Sequence, residues 1–455
     1  MTKKDSNLET KTREDLVLSD EPIKIGVVHY FWDSSSRGVN TVVRNSVVKG
    51  LGSLYPNSEV VLIGEHFQKG VFDNLEKRKV PLVSSDSYWL LLGALIDSTN
   101  DLDAVIIENP IWGKKPYATQ AFKGSSEREG KPFHWRLHDA VWERPEYWPG
   151  FKEIFPEFGQ AIPRSENFSC SVLTLPAKSK MQNYYDKEIN IIRNSVVLDD
   201  YLPNPEDAKK LRNLLEENEI VKPGQKIISC PNRIVDRKLI EHGFPIVKNM
   251  RELTGEDYIL LVTESIDDEF DFPQENVYHR ILEDIAKKQN IPVSLGEASK
   301  FVDQIKNGVS RLYDISEFGI LPSKIEGFGY GNVEPWLCHG SLENGKEKVI
   351  PGIGRFGDVH QDFEQYGMNF KHYWNDEVLN LKRNYIENIK YSQKILSDEN
   401  EYLDFKKRMK LEWRLEQARN VAAENEIAII KDFNHLKSAK DLAKIMKLPG
   451  YQKIG

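Results

Sequence analysis

Cysteine is scarce: three in 455 residues, Cys170, Cys230 and Cys338, set far apart. They make neither a disulfide framework nor a C-x-x-C metal pair, so a reducing compartment and a cytoplasmic location are expected. Each reads as a small apolar packing residue. Positive charge is not in excess either. Against 70 Asp and Glu stand 62 Lys and Arg, a net charge of -8. That balance argues against the basic face of a nucleic-acid binder and leaves room only for local basic pockets. Long apolar runs are missing. The longest obvious one, Tyr88–Ile96, falls far short of the roughly 18–20 residues needed to cross a bilayer. No basic amphipathic membrane helix stands out. Met1–Glu21 is polar and mixed in charge, so a signal peptide is not expected and the stretch reads as a disordered tail.

What is present fits a globular chain long enough for two domains, with 40% hydrophobic and 29% charged residues. Short apolar runs at Ile23–Tyr30, Glu59–Gly64, Ala104–Glu108 and Phe133–Asp139 alternate with helical stretches such as Tyr88–Asp97. This alternation predicts a doubly wound α/β sheet. Asp101-Leu102-Asp103 has the D-x-D form of a metal site, but it leads directly into Ala104–Ile107 and reads as a turn before a strand. After the first strand comes a polar loop, Asp33–Asn40, with Arg37 and Gly38. A helix is predicted from Thr41, with Val42, Val43, Ser46, Val47 and Gly50 sharing a face. His138 closes the fourth run, at a strand's C-terminal end, where α/β folds bind ligands. It is either such a group or a histidine satisfied locally. Trp142, Arg144, Tyr147 and Trp148 follow. They suit either a sugar acceptor or the packing of a loop.

The second half repeats the pattern, with strands at Lys226–Cys230, Tyr258–Thr263 and Phe318–Leu321. After Cys230 the chain reads Pro-Asn-Arg233-Ile-Val-Asp-Arg-Lys238, two cations five residues apart across a strand-end loop, with Arg237 between them. Such a pair can decorate a surface or offset the charge of a leaving diphosphate. Past Leu321 the chain reads Pro322-Ser323-Lys324-Ile325-Glu326-Gly327-Phe328-Gly329-Tyr330-Gly331. A helix is predicted over Val333–Cys338, with Glu334 in its first turn and Pro335 where a missing N–H does no harm. Strand, tight loop and helix turn free N–H groups toward an anion, and ionised carboxylates accept hydrogen bonds from hydroxyls. The same layout also describes an ordinary turn with two solvated glutamates.

The proline-serine, the E-G-F-G at Glu326–Gly329 and a second glutamate, Glu334, after seven intervening residues resemble the nucleotide-sugar signature of retaining glycosyltransferases of family 4. Gly38, His138 and Arg233 with Lys238 occur in the family's order. The resemblance spans most of residues 23–350. It departs where the family continues Glu-Ala-Met-Ala-x-Gly and this chain has Glu334-Pro335-Trp336-Leu337-Cys338-His339-Gly340. Ser341–Glu347 is a charged insertion, and Gly352, Gly354 and Gly357 then read as a flexible loop.

The resemblance implies a GT-B fold: two Rossmann-like domains facing an interdomain cleft, with a helical C-terminal segment. The expected divisions are a tail over 1–21, an acceptor-side domain over 22–203, a nucleotide-sugar domain over 204–425 and terminal helices over 426–455, packing back on the first domain. It further implies a nucleotide-diphosphate sugar as donor, a hydroxyl acceptor, no nucleic-acid partner and no cofactor or metal. Arg233 and Lys238 would meet the diphosphate, and Glu326, Gly327, Phe328 and Gly329 the sugar. Glu334 would take the ribose, and His138 would orient the sugar. Gly38 and Arg37 would approach the phosphates. Arg144 would bind acceptor, and Val293–Gly296 would frame the base. Two rival functions share the fold, a nucleotide-sugar epimerase and a non-catalytic nucleotide-sugar-binding protein.

Overall fold

The computed structural model describes residues 17–32, 37–70, 72–138, 147–264, 273–324, 329–343, 346–349, 351–355, 358–379 and 385–454. The chain divides into two compact units, Met1–Val196 with Phe433–Gly455, and Val197–Asp432.

The first unit is built on a parallel sheet. Its strands are β1 (Lys24–Val28), β2 (Glu59–Gly64), β3 (Glu76–Lys79), β4 (Ala104–Glu108), β5 (Phe133–Leu137), β6 (Phe168–Val172) and β7 (Asn190–Ile191), in the order β3-β2-β1-β4-β5-β6-β7. Strands covered on both faces can be apolar throughout, as Ile25–Val28 and Ala104–Ile107 are. The order reverses between β1 and β4, so a crevice opens at their C-terminal ends. Asp101 leads into β4 as a structural turn, its carboxylate ion-paired to Arg78 at 2.5 Å and Lys24 at 3.0 Å.

The helix predicted from Thr41 begins earlier, at Arg37, and widens into a π-helix over Val43–Leu51. Val42, Val43, Ser46, Val47 and Gly50 are all buried, as the pattern required. The helix His435–Ile445 lies against this face. Leu442, Ala443 and Met446 share a core with Val43, Val47 and Leu51. A Cβ on Gly50 would sit 2.8 Å from both Ala439 Cβ and the His435 carbonyl oxygen. Gly50→Ala is therefore expected to destabilise the protein by about 1–3 kcal/mol in urea unfolding, because the helices must part. A wild-type midpoint would contradict this packing.

The second unit has its own parallel sheet. Its strands are β8 (Lys226–Arg233), β9 (Tyr258–Glu264), β10 (Val293–Leu295) and β11 (Phe318–Leu321). An antiparallel hairpin follows, β12 (His339–Glu343) and β13 (Lys346–Val349), and then β14 (Gly352–Gly354). The sheet order is β10-β9-β8-β11-β14, reversing between β8 and β11. No helix among the described residues is long and apolar enough to cross a membrane.

Two local expectations are corrected here, and one is given its structure. Val333–Cys338 is not an α-helix: two 3-10 turns, Tyr330–Asn332 and Glu334–Leu337, occupy the region. The Asn332 carbonyl, which an α-helix would give to the Trp336 amide, instead accepts the Trp336 indole N–H at 2.9 Å. The described residues of the Ser341–Glu347 insertion belong to the paired strands β12 and β13. Gly352 and Gly354 are not a flexible loop but the edge strand β14. At Gly354 glycine is needed for close packing, since a Cβ there would lie 2.6 Å from Tyr373; Gly357 lies outside the described residues.

Candidate active site

In the second unit, the loops after β8 and β11 flank the reversal of strand order. Arg233 is the last residue of β8, and Lys238 ends a 3-10 turn, Asp236–Lys238, with its side chain buried. Leu239 then holds φ at 51°, a left-handed conformation that costs a branched residue energy and is kept where the surroundings enforce it. The Lys324 amide donates to the Arg237 carbonyl at 2.8 Å, tying the segment after β11 to the cationic turn after β8. Arg355, just past β14, donates Nη1 to the Lys324 carbonyl at 2.6 Å and pairs with Asp376 at 2.5 Å. The C-terminal ends of three adjacent strands are thus laced together around the two loops.

Gly329 ends the glycine turn at φ 71°, where glycine is the natural choice. Asn332 is clamped on two sides. Besides the Trp336 indole it meets His360, whose Nε2 lies 2.9 Å from Asn332 Oδ1. Burial holds His360 down to about 3, so its ring is neutral and its N–H donates. Glu334 accepts a hydrogen bond from the Tyr201 hydroxyl at 2.7 Å. The Tyr201 hydroxyl, pushed well up by burial and next by the Glu334 charge, stays protonated and donates. Arg311 in turn holds the Tyr201 segment, donating Nη2 to the Leu202 carbonyl at 2.9 Å and pairing with Asp314 at 2.9 Å. Cys338 is buried, and burial raises its thiol well above the usual range, in keeping with a packing role.

The first unit holds a second cluster at its own strand-order reversal. His138 follows β5, and its Nε2 lies 2.6 Å from Glu108 Oε2 at the end of β4. Glu108 is fully buried and its other oxygen accepts from Arg136 Nη1 at 3.1 Å. The same nitrogen donates to Ser46 Oγ at 2.8 Å. Burial alone would raise the Glu108 carboxyl; the Arg136 charge and the His138 hydrogen bond overcome it and hold the group down to about 2. An ionised Glu108 accepts a hydrogen bond from His138 Nε2 and fixes the orientation of the ring. The next residue, Asn109, is left-handed at φ 54°.

Gly38 lies in the first helical turn after β1, exposed, with open space where a Cβ would be. Arg37 starts that helix. Glu326, Gly327, Phe328, Arg144 and Trp142 lie outside the described residues. Trp148 stacks on Phe151 at 5.9 Å and Tyr147 meets Trp112 at 6.3 Å, which is packing. The sequence did not point to Glu108, Arg136, Tyr201 or His360. A charged residue closing an apolar strand, as in Ala104–Glu108, was the one available signal.

Both sheets, and the placement of these loops, define the GT-B fold. Solved glycosyltransferases share it. Sucrose-phosphate synthase from Thermosynechococcus elongatus superimposes with a TM-score of 0.59 at 11% identity, covering 93% of this chain and 98% of that one. An α,α-trehalose-phosphate synthase (UDP-forming) from Burkholderia xenovorans, in complex with glucose-6-phosphate, gives 0.59 at 11% identity, over 93% and 100%. WaaG, a glycosyltransferase involved in lipopolysaccharide biosynthesis, gives 0.54 at 12% identity, over 93% and 100%. No protein-family model and no curated protein matches the chain.

Proposed function

We propose that the protein is a retaining glycosyltransferase that moves a hexosyl group from a nucleotide-diphosphate sugar to a hydroxyl of a small soluble acceptor. The observation that carries this reading is the strand-order reversal between β8 and β11, flanked by Arg233 and Lys238 on one loop and by the segment leading to Gly329 and Glu334 on the other. Open α/β sheets take nucleotides at such a point. Arg233 and Lys238 stabilise the diphosphate as the sugar–oxygen bond breaks, which makes a metal ion unnecessary for that charge. Glu334 accepts from the ribose hydroxyls. Glu326 and the amides of Gly327–Gly329 hold the sugar, and His138 orients it. The acceptor attacks on the face the diphosphate leaves, and the departing phosphate takes its proton, so no protein base is assigned. Arg37 and Gly38 approach the donor phosphates, and Arg144 grips acceptor. A small acceptor accords with neighbours whose names are sucrose-phosphate and trehalose-phosphate synthases.

The test is a mass-spectrometric screen of nucleotide sugars against hydroxyl acceptors, with Glu326→Ala and Lys238→Ala as controls. A glycosylated product with retained anomeric configuration, lost in both variants, is expected. Unimpaired turnover in both would reject the site. Donor isomerised without acceptor would reject transfer.

Tyr201→Phe removes the hydroxyl that holds Glu334 in place. The expected result is a donor KM raised about three- to tenfold with kcat little changed, since one hydrogen bond to a charged group is worth about 1.5–3 kcal/mol before water replaces part of it. An unchanged KM would detach Tyr201 from the donor site.

A further inference from the structure

A second concave site lies in the same unit, lined by none of the residues assigned to the donor. It is an open cavity of about 600 Å³ between the chain around Lys371–Val378 and the junction of two helices, Glu399–Met409 and Leu411–Asn420. Its floor is Arg414, only 7% exposed. Arg414 donates Nη1 to the carbonyls of His372 and Tyr373 at 2.7 and 2.6 Å, and Nε to that of Met409 at 2.5 Å. Its remaining nitrogen, Nη2, has no hydrogen bond among the described residues. Among the described residues no carboxylate is paired with this guanidinium, and burial holds it down to about 10. The guanidinium is bound to neutral carbonyls and lies 5.8 Å over the Trp413 ring, so among the described residues no acid offsets its charge.

The rim adds to that charge. Lys371, Lys407 and Lys410 line the cavity, exposed, and none forms an ion pair among the described residues. Arg408, by contrast, is committed to Asp404 and to the Tyr391 hydroxyl. Trp413 stands at the edge with 44% of its surface exposed, a large ring left facing solvent. Glu377 and Asn375 complete the wall. On a chain with a net charge of -8, a cavity that among the described residues has one carboxylate and four cations not paired to an acid selects for an anion.

We propose that this cavity binds a phosphorylated sugar, its phosphate held by Arg414 and the three lysines and its ring laid against Trp413. A phosphomonoester carries about -1.5 to -2 charges at neutral pH and three acceptor oxygens, matching a buried guanidinium nitrogen and mobile ammonium groups. An indole face presents apolar area to the C–H side of a sugar ring. Glu377 and Asn375 accept from, or donate to, its hydroxyls. The inference stands whether or not the protein transfers sugars.

Isothermal titration of the full chain with glucose 6-phosphate, inorganic phosphate and glucose tests this, beside sedimentation with phosphatidylcholine vesicles containing phosphatidic acid. Glucose 6-phosphate is expected to bind, inorganic phosphate about tenfold more weakly, and glucose not measurably. Lys371→Ala and Lys407→Ala, both surface changes, should each weaken the ester about tenfold, the worth of one charge-assisted hydrogen bond. Trp413→Ala should bring the ester down to the level of phosphate. Lys238→Ala should leave it unchanged, which separates this cavity from the donor site. Wild-type binding in both lysine variants, loss in Lys238→Ala, or binding to vesicles alone would overturn the proposal.

Discussion

Replacing Lys238 with methionine is expected to lower kcat about 100- to 1,000-fold, the usual cost of removing one preorganised donor from a charge that develops in the transition state. Methionine keeps the aliphatic length of a buried side chain, so the loss is one of charge and not of packing. The 3-10 turn carrying Lys238 is held by its backbone, with the Lys238 amide on the Val235 carbonyl at 2.9 Å and the Arg237 carbonyl taken by Lys324. It should survive the substitution. Near-UV circular dichroism should be unchanged while single-turnover rates fall, and donor KM should move little, because the interaction is strongest as the diphosphate leaves. Arg233→Ala should fall in the same direction. Turnover of Lys238→Met within threefold of wild type would remove Lys238 from the mechanism.

The second large effect concerns the buried Glu108–Arg136–His138 cluster. Arg136→Leu leaves a carboxylate without its guanidinium in a site with no access to water, and is expected to destabilise the protein by about 3–5 kcal/mol. Glu108→Leu with Arg136→Leu removes both charges and should recover most of that stability. Activity should stay low in the double variant, since His138 has then lost the group that fixes its ring. Chemical denaturation and turnover measured on both variants separate stability from positioning. Acid adds an independent check. The Glu108 carboxyl is held from 4.5 down to about 2, worth about 3 kcal/mol at about 1.4 kcal/mol per pH unit. A depressed carboxylate contributes fully above its unfolded value and loses that contribution as pH falls toward its folded one. Wild type should therefore lose this stability between about pH 4.5 and pH 2, and the double variant should not lose it there. Equal acid sensitivity in the two would show that Glu108 is not held as an anion.

Much of the fold was legible because its signals are local. Apolar runs such as Ile23–Tyr30 and Ala104–Glu108 could only be strands covered on both sides, and their alternation with helices dictated parallel sheets. Among the candidate site residues, Arg233 closes β8, His138 follows β5, and Lys238 lies on the 3-10 turn in the loop beyond β8. The misreadings share one cause. Gly352 and Gly354 suggested flexibility, whereas they form an edge strand, and Tyr373 packs too close to Gly354 for a Cβ. Val333–Cys338 suggested an α-helix until the Trp336 indole claimed the carbonyl that the helix needed.

The sequence by itself determined the two α/β units, the cationic pair after one strand and the glycine turn with its glutamates after another. These follow from spacing along a few residues, where propensity and periodicity act. Only the tertiary structure decided what holds those groups. Glu108 meets Arg136 because β4 and β5 pair in register, and Tyr201 reaches Glu334 across 133 residues of chain. Arg414 is a buried cation with no acid partner among the described residues, held by the carbonyls that close around it. Such contacts depend on strand order, register and burial, which set the strength of a charge or hydrogen bond and which no stretch of sequence carries alone.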